Sequence, residues 1–331
     1  MAYLADDKRY EKMPYRRCGR SGLKVSAISL GLWQNFGLKN SFENSEAMCR
    51  TAFDLGINHF DLANNYGNPY NGSAEETFAR ILARGLGAYR DELTITTKAG
   101  YDMWAGPYGA KGGSRKYLLA SLDQSLKRLG LDYVDVFYHH VADPETPAEE
   151  TALALDHAVK QGKALYVGIS NYNRAQTAEI LAIFRELKTP FVLNQPMYSM
   201  RNRWIEHDKL AELAAQEGFA FAAYCPLHQG ILTERYLNGI PADSRAAASD
   251  WLRRELDDAG LARLQTLNII AAQRGQTLPQ LALAWVLRKP EVATVLIGAS
   301  RPEQIIENVK AVERLDFTAQ ELAQIEAALA E

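Results

Sequence analysis

The sequence has few cysteines and no long hydrophobic segment. Its three cysteines, Cys18, Cys49 and Cys225, are scattered and odd in number, which argues against a disulfide framework and is typical of a reducing compartment. No apolar run approaches the length that crosses a bilayer, and the first residues, MAYLADDKRYEKMPYRR, lack the apolar core of a signal peptide. The sequence therefore predicts a cytoplasmic protein.

The sequence also lacks a large excess of either charge. Its 37 lysines and arginines nearly balance its 40 aspartates and glutamates, which gives a formal net charge of -3. A near-neutral chain gives no support for binding nucleic acid or an anionic membrane surface. The 331 residues, 47% of them hydrophobic, suffice for one large domain or two small ones. We therefore expect neither nucleic acid nor a membrane as a partner.

Short apolar segments alternate with amphipathic stretches along the whole chain. The strand candidates are VSAISLGLW, INHFDLA, LTITTKA, YVDVFYHH, LYVGISN, FVLNQP, FAFAAYCP and VATVLIGAS. Strands that are each followed by a helix, with no linker between them, predict one (β/α)8 barrel, a TIM barrel of the α/β class forming a single domain over residues 1–331. A doubly wound sheet would usually carry G-x-G-x-x-G after its first strand, and that spacing is absent from LGLWQNFG.

Two predicted loops at strand ends are longer than the others. One follows the third strand and reads GYDMWAGPYGAKGGS, and the other follows the seventh strand over about residues 227–246. Long loops at the carboxyl ends of barrel strands are where sites are usually built. Elsewhere, Ser73 with Glu76 and Thr146 with Glu149 predict capping boxes that begin helices.

The predicted strands end in polar residues. Any one of these residues has a structural explanation, because polar side chains commonly end strands, but the set as a whole favours one shared cavity. Its members are Asp61, Lys98, His139, His140, Ser170, Asn171, Asn194, Gln195 and Tyr224.

Asp61, in FDLANNYG, needs a positive partner, because a carboxylate at the end of a buried strand is costly alone. Lys98 at the end of the next strand is the candidate. Tyr66 follows Asp61 by five residues, and a neighbouring cation lowers the pKa of a phenol. Lys98 would then acidify Tyr66 for proton donation to a nascent alkoxide, and a histidine would polarise the substrate carbonyl. These parts suit reduction of an aldehyde or ketone.

Two other chemistries remain open from the residues alone. Lys98 could be the nucleophile of a Schiff-base aldolase. The HHVAD segment suggests a metal-dependent isomerase, although adjacent histidines on one strand do not easily bind one metal and no further carboxylate cluster is in view. We therefore predict no metal site.

Several long motifs, in order, resemble the aldo-keto reductase superfamily over essentially the whole chain. They are HFDLANNYG, TKAGYDMWAGPYG, SRKYLLASLDQSLKRLGLDYVDVFY, GKALYVGIS and YLNGIP. The resemblance is closest to the bacterial L-glyceraldehyde 3-phosphate reductases, which also reduce methylglyoxal. It implies a (β/α)8 barrel, NADPH as the cofactor, and a catalytic tetrad of Asp61, Tyr66, Lys98 and a histidine. The family pattern places that histidine five residues after Asp135, at His140.

The resemblance also implies ligands for the cofactor. Ser170, Asn171 and Gln195 resemble the ligands of the nicotinamide carboxamide, and Tyr224 resembles the residue that stacks on the nicotinamide ring. A second group resembles the residues around the pyrophosphate and comprises Pro226, Leu227, Gln229, Gly230, Arg235 and Arg245. A third group resembles the adenosine end of the site and comprises Gly298, Ser300, Arg301, Gln304, Glu307 and Asn308.

Aromatic residues in the loops are expected to wall the substrate pocket: Trp33, Tyr101 and Trp104. The sequence with its resemblance therefore predicts NADPH-dependent reduction of small aldehydes, such as glyceraldehyde 3-phosphate and methylglyoxal, with Tyr66 as the general acid. The alternative is a redox-sensing or channel-associated nucleotide-binding subunit, because potassium-channel β-subunits belong to the same branch. Relatives form tetramers or octamers, so the resemblance also implies a homo-oligomer.

Overall fold

A closed barrel of eight parallel strands occupies the centre of the structure, a computed structural model that describes residues 3–330. Two short antiparallel strands, β1 (Tyr15–Arg17) and β2 (Lys24–Ser26), precede the barrel. The barrel strands are β3 (Ile28–Gly31), β4 (His59–Asp61), β5 (Thr94–Ala99), β6 (Val134–His139), β7 (Ala164–Ser170), β8 (Phe191–Gln195), β9 (Ala220–Tyr224) and β10 (Val292–Ile297). All eight predicted strand segments contribute one barrel strand each.

The barrel closes through β10, which pairs in parallel with both β3 and β9. Every other barrel strand pairs with its neighbours in chain order, which confirms the predicted (β/α)8 barrel. Because parallel strands share one direction, their carboxyl ends meet at one rim. The first predicted segment differs from the expectation, since VSAISLGLW divides between β2 of the hairpin and β3 of the barrel.

Helices surround the barrel and bury their apolar faces against it. Phe60 of β4 and Phe78 of the second helix, for example, lie 5.2 Å apart between their ring centroids. Fully burying a side chain of this size contributes about 1.5–3 kcal/mol. The helices are α1 (Phe42–Asp54), α2 (Ser73–Ala83), α3 (Arg115–Leu129), α4 (Ala148–Lys160), α5 (Arg174–Leu187), α6 (Trp204–His207), α7 (Leu210–Glu217), α8 (Asp250–Arg254), α9 (Asp258–Gln273), α10 (Leu278–Leu287), α11 (Pro302–Val309) and α12 (Ala319–Ala330).

Both predicted capping boxes are wrong. Helix α2 begins at Ser73 itself, whose hydroxyl donates to the carbonyl oxygen of Pro69 at 2.7 Å. The hydroxyl of Thr146 donates to Asp143 Oδ2 at 2.6 Å, and α4 begins without a side-chain cap. Gly72 and Pro147, which have no side-chain oxygen, occupy the two N-cap positions in place of Ser73 and Thr146.

Both predicted long loops are present at the carboxyl rim. The first joins β5 to α3, and the second joins β9 to α8 through short 3-10 helices at His228–Gly230, Glu234–Tyr236 and Arg245–Ala248. Further 3-10 helices lie at Leu86–Glu92 and Lys310–Glu313. Within residues 3–330, none of the helices combines the length and the apolar character that spanning a bilayer requires.

Candidate active site

An ion pair lies at the carboxyl rim, where β4 and β5 run side by side. The ammonium group of Lys98 donates to Asp61 Oδ2 at 2.6 Å and to the carbonyl oxygen of Leu62 at 2.6 Å. Both charged side chains are buried, so neither charge is solvated by water. Asp61 is therefore the counter-charge that allows an ammonium group inside the barrel.

The hydroxyl of Tyr66 joins this pair to His140. Lys98 Nζ lies 3.4 Å from the Tyr66 hydroxyl, and His140 Nε2 lies 3.5 Å from the same oxygen. Lys98 thus directs all three of its hydrogens at oxygen atoms. The structure thus brings Tyr66, Lys98 and His140, which come from three separate segments of the chain, together around one hydroxyl.

Burial sets the protonation states of this cluster. It raises the pKa of Tyr66 well above 10, and the negative charge of Asp61 adds to the rise. It also lowers the pKa of Lys98, against the effect of Asp61, and lowers the pKa of His140 well below 6.5, with help from Lys98. The expectation that Lys98 makes Tyr66 acidic is not met in this structure, because burial raises the pKa of Tyr66 and the charge of Asp61 adds to the rise. Tyr66 is a protonated phenol and His140 a neutral imidazole.

The two adjacent histidines point to opposite sides of the strand end, as neighbours on a strand must. His140 packs edge-on against Tyr101, with 4.7 Å between the ring centroids, and faces Tyr66. His139 instead lies under the long loop after β5. Its Nδ1 lies 2.6 Å from the Tyr172 hydroxyl and its Nε2 lies 3.3 Å from the carbonyl oxygen of Gly112. Only His140 belongs to the cluster.

A chain of buried polar groups inside the barrel supports Asp61, and sequence reasoning missed it. The hydroxyl of Thr96 donates to Asp61 Oδ1 at 2.8 Å, and His59 Nε2 lies 3.2 Å from the same hydroxyl. His59 Nδ1 lies 2.9 Å from the hydroxyl of Ser29. The signal was available, because Thr96 precedes Lys98 by two residues and must share its face of β5.

Four of the predicted cofactor ligands meet beside the cluster, at the ends of β7, β8 and β9. Gln195 Nε2 donates to Asp61 Oδ1 at 3.0 Å. The Asn171 amide donates to Ser170 Oγ at 3.2 Å and accepts from the Tyr224 hydroxyl at 2.8 Å. Asn171 has a positive φ of 58°, which turns the chain away from β7. The structure thus brings Ser170, Asn171, Gln195 and Tyr224 together.

The second predicted group lies in the loop after β9. This loop turns sharply, since Cys225, His228 and Gln229 all have positive φ values of 49–56°. Pro226, Leu227, Gln229 and Gly230 all lie in this turn. Further along, Arg235 pairs with Asp243 at 2.8 Å, while Arg245 is exposed at the start of a 3-10 helix.

The third predicted group lies at the end of β10 and on α11. Gln304 Oε1 accepts from the backbone nitrogen of Ser300 at 2.7 Å, and the Arg301 guanidinium is exposed, with Glu303 at 3.8 Å. Gly298 is also exposed, and a Cβ added there would meet no atom within 4 Å. Farther along α11, Glu307 pairs with Lys310 at 2.7 Å and Asn308 is buried.

Two of the three predicted pocket aromatics contact the cluster. The ring centroid of Trp33, which is 40% exposed, lies 6.3 Å from that of Tyr66, and Tyr101 packs on His140. Trp104 contacts the cluster only indirectly, through Tyr117. It packs on Tyr117 at 5.3 Å, and the Tyr117 hydroxyl donates to the carbonyl oxygen of Tyr101 at 2.5 Å.

The fold and the site together define a (β/α)8 barrel with a buried lysine–carboxylate pair, a tyrosine and a histidine at the carboxyl ends of its strands. Among the residues that the structure describes, no group of three or more His, Cys, Asp or Glu side chains is arranged to hold a metal ion. A sequence model of the aldo/keto reductase family matches residues 27–330. The chain belongs to the aldo/keto reductase family, which confirms the resemblance seen in its motifs and supports an oxidoreductase.

This chain is similar both to proteins named as reductases and to proteins named as potassium channel subunits. The L-glyceraldehyde 3-phosphate reductase of Escherichia coli strain K12 is 54% identical over 336 residues, which cover 100% of this chain and 96% of the relative. A putative voltage-gated potassium channel subunit beta of Schizosaccharomyces pombe is 39% identical over 314 residues, which cover 92% of this chain and 90% of the relative. A probable subunit of the same name from Arabidopsis thaliana is also 39% identical, with 91% and 92% covered.

Proposed function

We propose that this protein reduces small aldehydes to alcohols with NADPH, and that Asp61, Tyr66, Lys98 and His140 carry the reaction. The observation that supports this most is the position of the Tyr66 hydroxyl, 3.4 Å from a buried ammonium group and 3.5 Å from a neutral imidazole. A protonated phenol beside a cation can give up its proton and be stabilised as a phenolate.

The proposed reaction needs a hydride and a proton. A reduced nicotinamide cofactor, when bound, supplies the hydride to the carbonyl carbon. The C=O π bond breaks towards oxygen, and the Tyr66 O–H bond gives its proton to that oxygen to form the alcohol. Lys98 stabilises the phenolate that remains, until solvent returns the proton. His140 Nε2–H donates a hydrogen bond to the carbonyl oxygen and orients it.

The residues beside the cluster suit a nicotinamide cofactor. Ser170, Asn171 and Gln195 present hydroxyl and amide groups, which match a carboxamide, and the half-buried ring of Tyr224 lies next to them. Gln195 uses only one of its two amide hydrogens on Asp61. The remaining predicted groups would hold the rest of the cofactor. Arg301, at the start of α11, would favour NADPH over NADH by pairing with the additional phosphate.

We propose that the substrate is a small aldehyde, either with or without a phosphate group. The name of the Escherichia coli relative motivates glyceraldehyde 3-phosphate, and methylglyoxal follows from the same resemblance. We propose that Trp33 and Tyr101, whose rings pack on Tyr66 and His140, wall the pocket that a small carbonyl compound would enter.

The first experiment follows NADPH oxidation by absorbance with methylglyoxal and with each enantiomer of glyceraldehyde 3-phosphate. We expect Tyr66→Phe to lower kcat at least ~100-fold, because it removes the proton donor, while the Kd for NADPH stays within twofold. Turnover by Tyr66→Phe at the wild-type rate would reject Tyr66 as the acid. NADH in parallel tests the cofactor preference.

A nucleotide-binding subunit with little turnover is the second candidate. It is favoured by the two relatives that bear the name of a potassium channel subunit. Stopped-flow mixing of the NADPH complex with aldehyde separates the two functions. Tight NADPH binding without hydride transfer to any tested carbonyl would favour the subunit.

A further inference from the structure

A second buried ion pair lies behind β5, on the outer side of the barrel wall. Glu75 of α2 is fully buried, and its Oε2 accepts from Arg128 Nε of α3 at 2.7 Å. Its Oε1 accepts from the hydroxyl of Thr97 at 2.6 Å. Thr97 precedes Lys98 and faces the opposite side of the strand. The pair is therefore separated from the ammonium group of Lys98 by the thickness of one strand.

The same guanidinium group also contacts the loop that carries Tyr66, residues 62–72. Arg128 Nη2 donates to the carbonyl oxygen of Asn64 at 3.4 Å and to Ser125 Oγ at 3.3 Å. Gly72, at the far end of the loop, has a positive φ of 88°, and a Cβ built there would lie 2.4 Å from Arg128 Nε. Both ends of the loop thus pack on one side chain.

Asn64 links this contact to the site. Its backbone nitrogen donates to the carbonyl oxygen of Lys98 at 2.9 Å, and its side-chain amide donates to the Tyr117 hydroxyl at 3.0 Å. Tyr66 follows two residues later, and its backbone nitrogen donates to the carbonyl oxygen of Ala63 at 3.0 Å. A shift of Asn64 therefore moves Tyr66.

Resting on the proposed function, we propose that Arg128 and Glu75 are positioning residues that hold the 62–72 loop so that the Tyr66 hydroxyl stays between Lys98 and His140. The two distances from that hydroxyl, 3.4 and 3.5 Å, are at the outer limit of a hydrogen bond. A small displacement of the loop breaks both. Misplacing a reacting group by about 1 Å costs on the order of 100-fold in rate.

The test variant is Arg128→Lys. A lysine retains the positive charge that Glu75 requires, but it has no second nitrogen to reach Asn64 and Ser125 at the same time. The substitution therefore keeps the charge that neutralises the buried Glu75 and removes only the contacts of Arg128 with Asn64 and Ser125.

The structure offers a matched control at the opposite end of the barrel. Arg90 pairs with the buried Asp135 at 2.9 Å and donates to the carbonyl oxygens of Leu93 and Tyr133 at 3.1 and 3.2 Å. The side chains of Arg90 and Arg128 are similarly buried, at 16% and 14% exposure. Arg90→Lys makes the same chemical change at the amino ends of β5 and β6, the end of the barrel away from Tyr66.

We expect Arg128→Lys to lower kcat at least ~10-fold, with the Kd for NADPH and the KM for the aldehyde within about twofold of wild type. The primary deuterium isotope effect on kcat should increase, because the chemical step becomes slower than product release. Arg90→Lys should keep kcat within twofold. Equal losses of kcat in both variants, or none in Arg128→Lys, would overturn the proposal.

A second measurement does not depend on turnover. In protein labelled with 13Cζ-tyrosine, the Tyr66 resonance is assigned by its loss in Tyr66→Phe. We expect Arg128→Lys to shift or broaden the Tyr66 resonance and Arg90→Lys to leave it unchanged. An unchanged resonance in Arg128→Lys would refute the positioning role. This outcome can be read even if the wild-type protein reduces no aldehyde. Should the lysine variant not fold, Ser125→Ala removes an acceptor of the same Nη2 group and should shift the resonance by a smaller amount.

Discussion

Single buried residues in the site hold protonation states that solvent-exposed residues would not. Tyr66 remains a phenol because burial and Asp61 disfavour its anion, and His140 remains neutral because burial and Lys98 disfavour its cation. A proton donor with a high pKa is useful only if the anion it leaves is stabilised at once. In the proposed reaction, Lys98, 3.4 Å from the Tyr66 hydroxyl, would stabilise this anion.

These states predict a flat pH profile for the hydride-transfer step between pH 5.5 and 8. The pKa of His140 lies well below 6.5 and that of Tyr66 well above 10, so neither group changes its protonation in this range. The measurement is stopped-flow reduction of methylglyoxal by the NADPH complex, held at pH 7.5 and jumped to each pH on mixing. A fall in rate centred near pH 6.5 would show that His140 titrates as an exposed imidazole does.

At the scale of elements, the long loop after β5 positions its aromatic residues by close backbone packing. The backbone nitrogens of Met103 and Trp104 donate to the carbonyl oxygen of Gly109 at 2.8 and 3.4 Å. A Cβ on Gly109 would lie 2.2 Å from the Trp104 carbonyl oxygen and 2.4 Å from its ring. No side chain fits there without moving Trp104.

We therefore expect Gly109→Ala to raise the KM for small aldehydes about 3- to 10-fold, because the shift of Trp104 passes through Tyr117 to Tyr101, which we propose as a wall of the substrate pocket. The Kd for NADPH, whose proposed ligands lie on other loops, should not change. Gly22→Ala is the control, since a Cβ at Gly22 meets nothing within 4 Å. Steady-state kinetics with methylglyoxal measures both variants, and an unchanged KM in Gly109→Ala would exclude this loop from the substrate pocket.

The elements also show what could be predicted from the sequence. Runs such as LTITTKA have the length and β-branching of buried parallel strands, so the barrel and the position of Lys98 follow from local pattern. The two predicted helix caps did not follow, because Gly72 and Pro147 occupy the N-cap positions in place of Ser73 and Thr146. The Glu75–Arg128 pair joins residues 53 positions apart, and only packing between two helices reveals it.

At the scale of the whole molecule, four buried histidines couple folding to pH. His59, His139 and His228 lie in separate parts of the barrel and its loops, and burial lowers the pKa of each from 6.5 to about 4. The pKa of His140 is also lowered, well below 6.5. Each is neutral in the folded chain over a range in which the unfolded chain binds a proton.

The sign of the effect follows from linkage. A histidine with a depressed folded-state pKa contributes stability that is complete above pH 6.5 and is lost as the pH falls from 6.5 towards 4. Near pH 5, the three histidines with a pKa of about 4 reduce the free energy of unfolding by ~4 kcal/mol per pH unit, since each proton corresponds to about 1.4 kcal/mol per unit, and His140 acts in the same direction. A total stability of about 5–15 kcal/mol would then be largely lost over two units.

We therefore expect acid unfolding between pH 5.5 and 4, before most carboxylates are protonated. Urea unfolding followed by circular dichroism at pH 7.5, 6.0, 5.5 and 5.0 gives the free energy at each pH, and its slope gives the number of protons bound on unfolding. The slope near pH 5 should correspond to about three protons or more in the wild type and to about one proton fewer in His139→Gln, in which an amide replaces the bridge between Tyr172 and Gly112. A wild-type slope below one proton would mean that the buried histidines are already protonated in the folded state, and the neutral imidazole assigned to His140 would fail with them.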